Sequence, residues 1–198
     1  MAAHSSPPPK PRAAWPIWAG LAALVLIAAA GLSTAATLED HDSFCAACHT
    51  QPESTFYARS LAAPSDLASA HAAAWATRCI DCHSGPGLAG RAGALALGAR
   101  DLAAWVTHTG QQPAPLTVPI RDASCLKCHA DVPNTRNFDR HFHMYLARWQ
   151  ALDPATAGSC VSCHVGHSPS GDPHQDYLQP EQMQLVCDRC HAANVGRG

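Results

Sequence analysis

Hydrophobic and polar positions divide the chain sharply near its start. From Ala13 to Leu38 no residue is charged, and the run is mostly Ala, Leu, Ile and Trp. As a helix this stretch would reach about 39 Å, against a hydrocarbon core of about 30 Å. Trp15 and Trp18 stand at its start, where an interfacial aromatic belt falls. Beyond it, residues 50–78 read as short helices broken at Pro52 and Pro64. Ser65-Asp66 caps the second, which carries His71 and runs to about Trp75. Residues 84–87 (Ser-Gly-Pro-Gly) form a turn. Leu88, Leu95, Leu102 and Trp105 recur at helical spacing, so a helix is expected from Leu88 to about His108, weakened by Gly90, Gly93 and Gly98. Residues 110–120, with three prolines, are a loop. Residues 138–152 suggest a helix with His141, His143 and Trp149, and residues 165–181 are mostly loop. No segment is β-rich. The expected fold is mainly α with long loops, divided into a tail (1–12), an apolar helix (13–38) and a main domain (39–198).

Composition changes that picture. The chain has 198 residues, with 6% aromatic and 47% apolar content, the latter heavily alanine. That is a poor recipe for a side-chain core. The formal charge of −2 and the lack of a basic run give no sign of a nucleic-acid partner.

The ten cysteines supply the missing element. They form five copies of one pattern: Cys45-Ala46-Ala47-Cys48-His49, Cys79-Ile80-Asp81-Cys82-His83, Cys125-Leu126-Lys127-Cys128-His129, Cys160-Val161-Ser162-Cys163-His164 and Cys187-Asp188-Arg189-Cys190-His191. C-x-x-C-H is the attachment site of a c-type haem. Each pair of sulfurs adds across the two vinyl groups at one edge of the porphyrin, and the histidine reaches the iron as proximal ligand. Five covalently bound haems c are therefore expected, with the polypeptide wrapped around stacked cofactors. A zinc half-site or a redox dithiol also uses C-x-x-C, but neither requires a histidine after every second cysteine. The motif starts are 34, 46, 35 and 27 residues apart, and the inserts share no evident pattern, so the repeat is one of function rather than a solenoid.

Covalent haem attachment needs reduced thiols and haem outside the cytoplasm, so the main domain belongs to the periplasm or its equivalent. Lys10 and Arg12 precede the apolar run, and Glu39, Asp40 and Asp42 follow it. The positive-inside rule then gives a single-pass protein of the cytoplasmic (inner) membrane with its C-terminal domain outside. The rival reading is a cleaved signal peptide, since Thr34-Ala35-Ala36 resembles a cleavage site. The run exceeds the usual apolar h-region of about 7–15 residues, which favours a retained anchor. Cys45 follows the run closely, so the first haem is expected near the quinols of that membrane and is the candidate entry point. Glu39, Asp40, His41 and Asp42 at that boundary are candidate proton acceptors or simply the flank of the anchor.

Beyond the proximal set, His41, His71, His108, His141, His143, His167 and His174 compete for at most five distal positions. The primary distal candidates are His71, His108, His141, His143, His167 and His174. Bis-histidine ligation would leave no open coordination position, which suits electron transfer.

An N-terminal anchor followed at once by C-x-x-C-H resembles the NapC/NirT family of membrane-bound quinol-oxidising cytochromes, including the small subunit of cytochrome c nitrite reductase. The resemblance rests on the anchor with Phe44-Cys45…His49, on His71 upstream of Cys79…His83, and on Cys160…His164-Val165-Gly166-His167. It covers roughly residues 13–167. It implies helices and loops around closely spaced haems and quinol oxidation near the first. By position it implies that His71 and His167 are distal ligands. Two departures stand out: Gln51 replaces a common methionine after the first motif, and Cys187…His191 adds a fifth haem. An anchored five-haem chain resembles the pentahaem subunit of alternative complex III, whose partners would be integral-membrane and iron-sulfur subunits.

The leading expectation is thus an electron-transfer subunit in a respiratory or photosynthetic chain. It would carry electrons from the quinol pool, directly or through partners, to a periplasmic redox protein. A stand-alone quinol dehydrogenase feeding a periplasmic reductase is the first alternative. A multihaem reductase of a small oxyanion is the second, and its lysine-ligated haem would have Lys127 as sole external candidate. A third is a structural partner whose haems only conduct between other subunits.

Overall fold

The computed structural model describes residues 15–48, 50–116 and 118–193. The tail and His49 lie outside them. The chain divides into two compact units, Met1–Leu38 and Glu39–Gly198. It is mainly helical, with no strand among the described residues.

The first unit is helix α1 (Trp15–Leu38), long and apolar enough to cross a membrane. None of its residues is buried within the protein. Both of its threonine hydroxyls are satisfied internally: Thr34 Oγ1 donates to Ala30 O and Thr37 Oγ1 to Ser33 O, each at 2.9 Å. A helix that bonds its own polar groups in this way is suited to an apolar surround.

The second unit is a succession of short helices. In order they are α2 (Asp42–Cys48), α3 (Glu53–Ser60), α4 (Leu67–Trp75), α5 (Cys79–His83), α6 (Gly87–Val106), α7 (Asp122–Cys125), α8 (His141–Leu152), α9 (Cys160–Cys163) and α10 (Pro180–Ala192). Helix α4 begins where expected. Asp66 Oδ1 accepts from the Ser69 N–H at 2.8 Å, and Ser69 Oγ accepts from the Asp66 N–H at 3.0 Å, a reciprocal capping box. Helix α6 stops at Val106 rather than at His108, because His108 takes φ 54° and the N–H groups of Thr109 and Gly110 turn back to Ala104 O. Gly90 belongs in α6 for a local reason. The preceding turn folds over it so closely that a Cβ would lie 2.1 Å from the Gly85 carbonyl carbon. The expected helix over 138–152 is a 3-10 turn (Phe138–Arg140) followed by α8. The 165–181 loop holds a further 3-10 turn (Pro173–Gln175), and two isolated bridges join Leu178 to His164 and to Asp172.

Packing is sparse. Among the described residues, the buried hydrophobic side chains are Trp149 and Cys163. Gly158 admits Trp149: a Cβ there would meet the indole at 3.1 Å and Val186 at 3.2 Å. Leu88 is 91% exposed, and Leu102, Trp105 and Leu185 are exposed as well. A domain of roughly this length ordinarily buries about 70% of its chain surface. The helices here are held by caps and polar bridges, with little apolar side-chain core of their own.

Candidate haem-binding sites

The second unit is organised by where its cysteines and histidines fall on helices. Four of the motifs place both cysteines on one short helix: Cys45 and Cys48 on α2, Cys79 and Cys82 on α5, Cys160 and Cys163 on α9, Cys187 and Cys190 on α10. The third begins at the end of α7 with Cys125, and the His129 N–H continues the turn by donating to Cys125 O at 3.0 Å. An i, i+3 spacing on a helix turns both sulfurs to one face, as attachment along one porphyrin edge requires.

The motifs are pinned to one another by a device that recurs. Asp42, at the head of α2, accepts from the Cys79 N–H at 2.9 Å. Asp122, at the head of α7, accepts from the Cys160 N–H at 2.7 Å. Each aspartate lies three residues before the first cysteine of its own motif and holds the next motif. The side chains of Cys45 and Cys79 are hydrogen-bonded, and so are those of Cys125 and Cys160. That bond lowers the Cys125 thiol to about 7 and raises Cys160, while Cys45 is lowered and Cys79 raised in the same way. Motifs one and two thus relate as motifs three and four do. The shared Asp-x-x-Cys spacing was readable in the sequence, and the insert-by-insert reading above missed it.

Four motif histidines each face a histidine from outside the motifs. Ring centroids are 6.4 Å apart for His83 and His167, 6.0 Å for His129 and His71, 6.3 Å for His164 and His143, and 6.4 Å for His191 and His141. Two imidazoles on opposite sides of one metal, with metal–nitrogen bonds of about 2.0 Å, have centroids about 6 Å apart. His143 and His167 are pushed below the usual histidine pKa by burial, with Asp66 opposing the shift at His167. Both are therefore neutral near pH 7, the state in which imidazole binds metal. The Nδ1 of His71 lies 2.8 Å from Leu67 O, and that of His164 lies 3.0 Å from Asp176 O. A carbonyl only accepts, so Nδ1 carries the proton in both rings and Nε2 is left for a metal. The Nδ1 of His167 is buried with no hydrogen-bond partner. These features fit an iron held between two histidines. Among the described residues no three His, Cys, Asp or Glu side chains converge as a zinc site needs.

Other candidates fall elsewhere. His108 lies just past the end of α6 and His174 sits in a 3-10 turn, and neither stands in a ring pair among the described residues. The proximal assignment of His49 lies outside the described residues. The acids after α1 have structural partners: Glu39 pairs with Arg91 at 2.6 Å, Asp40 with Arg78 at 2.9 Å, and Asp42 holds Cys79. Lys127 Nζ donates to the carbonyls of Asp81 and Ser84, capping the end of α5.

The segments that carry His71 and His167 are braced together. The Arg59 Nη1 donates to Asp66 Oδ2 at 3.1 Å and to His167 O at 3.0 Å, and the Ala68 N–H donates to Gly166 O at 2.9 Å. Phe56 stacks on the His167 ring at 4.0 Å. Comparison with protein families, curated proteins and solved structures finds no match to this chain.

Proposed function

We propose that this chain is a membrane-anchored pentahaem c-type cytochrome. It would carry electrons from the quinol pool, directly or through partner subunits, to a periplasmic acceptor. Its resemblance to the pentahaem subunit of alternative complex III and to NapC/NirT cytochromes fits a role inside a quinol-oxidising complex. The observation that carries this reading is the set of four motif histidines, each facing a second histidine 6.0–6.4 Å away.

The residues that would hold the haems are the ten motif cysteines and the five motif histidines. Opposite four of them stand His167, His71, His143 and His141, in motif order. Bound haem would supply one-electron oxidation and reduction at iron. The chain's part would be to hold two imidazoles at each of these four sites, with His143 and His167 kept neutral by burial, and so leave no room for a substrate there. Sites closed in this way pass electrons and do not bind small oxyanions. The engagement of Lys127 by two backbone carbonyls supports the same conclusion, because a lysine-ligated reductase haem would need that amine. The near-absence of a side-chain core is consistent with porphyrin plates filling the interior.

The test is carbon monoxide difference spectroscopy on reduced full-length protein, with the co-purifying subunits identified from native membranes. Little carbon monoxide binding, together with iron-sulfur and polytopic membrane partners, is the expected result. Carbon monoxide binding by most of the haems would overturn the electron-transfer reading.

A further inference from the structure

The four ring pairs fall into two classes by angle. His83 with His167 and His164 with His143 have planes 18° and 6° apart. His129 with His71 and His191 with His141 have planes 79° and 84° apart. No pair lies between. The classes alternate along the chain: the second and fourth motifs are aligned, the third and fifth crossed.

The crossed pairs follow from the repeated unit defined by Asp42 and Asp122. In each unit, the helix between the two motifs sends a histidine to the first motif of the next unit. His71 on α4, between motifs one and two, faces His129 of motif three. His141 on α8, between motifs three and four, faces His191 of motif five. Both transfers give crossed rings. The second motifs take partners of unlike origin, His167 from the loop after motif four and His143 from α8 itself, and both of those pairs are aligned. The rings are not free rotors. His71 is fixed by Leu67 O, His164 by Asp176 O, and His167 by Phe56, whose plane lies 4° from its own.

Resting on the haem reading above, we infer that the chain holds two ligand-field classes of iron in alternation, crossed at motifs three and five and aligned at motifs two and four. In low-spin ferric iron the unpaired electron occupies one of two d orbitals that point above and below the porphyrin plane. An imidazole raises the one perpendicular to its own ring. Aligned rings raise the same orbital, split the pair, and give an ordinary rhombic electron paramagnetic resonance signal. Crossed rings raise both equally. The pair stays nearly degenerate, orbital momentum survives, and the signal becomes a broad feature at high g. Ligand orientation is one of the levers a protein has on haem electronics.

The experiment is electron paramagnetic resonance on oxidised, detergent-solubilised full-length protein, with haem content measured on the same sample. Both signals are expected, with the high-g feature accounting for two haems. His71→Met should remove about half of that feature and spare the rhombic signal, since one of the two crossed pairs loses its partner. His167→Met should deplete the rhombic signal and spare the high-g feature. Phe56→Ala leaves every ligand in place and should broaden only the rhombic signal, so the inference stays testable if a ligand variant fails to fold. A single class of signal from fully loaded protein overturns the inference, as does a reversed response of the two histidine variants. Protein lacking haem would instead overturn the reading on which it rests.

Discussion

His164 faces His143 with ring centroids 6.3 Å apart and planes 6° from parallel. The two residues lie on separate segments, one directly after α9 and one in the first turn of α8, and each is fixed independently. Asp176 O holds His164 through Nδ1, and burial keeps His143 neutral. Replacing His143 with Ala should open one iron of the five. Reduced H143A should then bind carbon monoxide at one haem per chain, where the parent protein does not at that site. Unchanged carbon monoxide spectra would show that His143 is not the ligand opposite His164.

The two aspartates of the repeat should behave alike. Asp42→Ala and Asp122→Ala each remove the acceptor of a cysteine N–H, and Asp122 also accepts from Gln150 Nε2 at 2.7 Å. Losses of about 1–3 kcal/mol are expected, larger for D122A, since a part-buried donor is left unpaired. Thermal unfolding of the two variants checks the order. Because Asp42 is occupied by Cys79, D42A should leave quinol-driven haem reduction largely intact at temperatures where it stays folded.

Acid should weaken the brace around α4. Burial of Asp66 works against its charge, but hydrogen bonds from Ser69 and Arg59 outweigh it and hold the carboxyl below the usual range. A depressed folded pKa means that the stabilisation is complete above the unfolded value of about 3.9 and is lost as pH falls toward the folded one. Asp66→Asn should therefore flatten the stability profile below about pH 4 and cost about 1–2 kcal/mol at neutral pH through the lost charge on the Arg59 hydrogen bond. An unchanged acid limb in unfolding curves would place that stabilisation elsewhere.

Much of this arrangement was legible in the sequence, for reasons of range. The Cys-x-x-Cys spacing is local, so one helical turn is enough to bring both cysteines to one face, as α5 and α9 do. The cap at Asp66 is equally local, and α4 ends at Trp75 as the reading expected. Helix α10 escaped notice because its residues are polar and exposed. Pro180 in its first turn was the available signal. The ring pairs were out of reach, since His83 and His167 meet only through the fold, by way of Arg59 and Phe56.

Helix α1 carries the membrane prediction. Its 24 residues would span about 36 Å, more than a bilayer core of about 30 Å. Detergent should be needed to extract the protein, and the mature chain should keep its N-terminal peptide. A soluble form beginning near Thr37 would make α1 a cleaved signal.

Intact mass of the mature protein is the most direct measurement of the central claim, that the five motifs carry five covalent haems. The account predicts a mass five haem units above the polypeptide, retained after denaturation because thioether bonds survive it. A gain of three haem units or fewer, or a mass increment that denaturation removes, would contradict it.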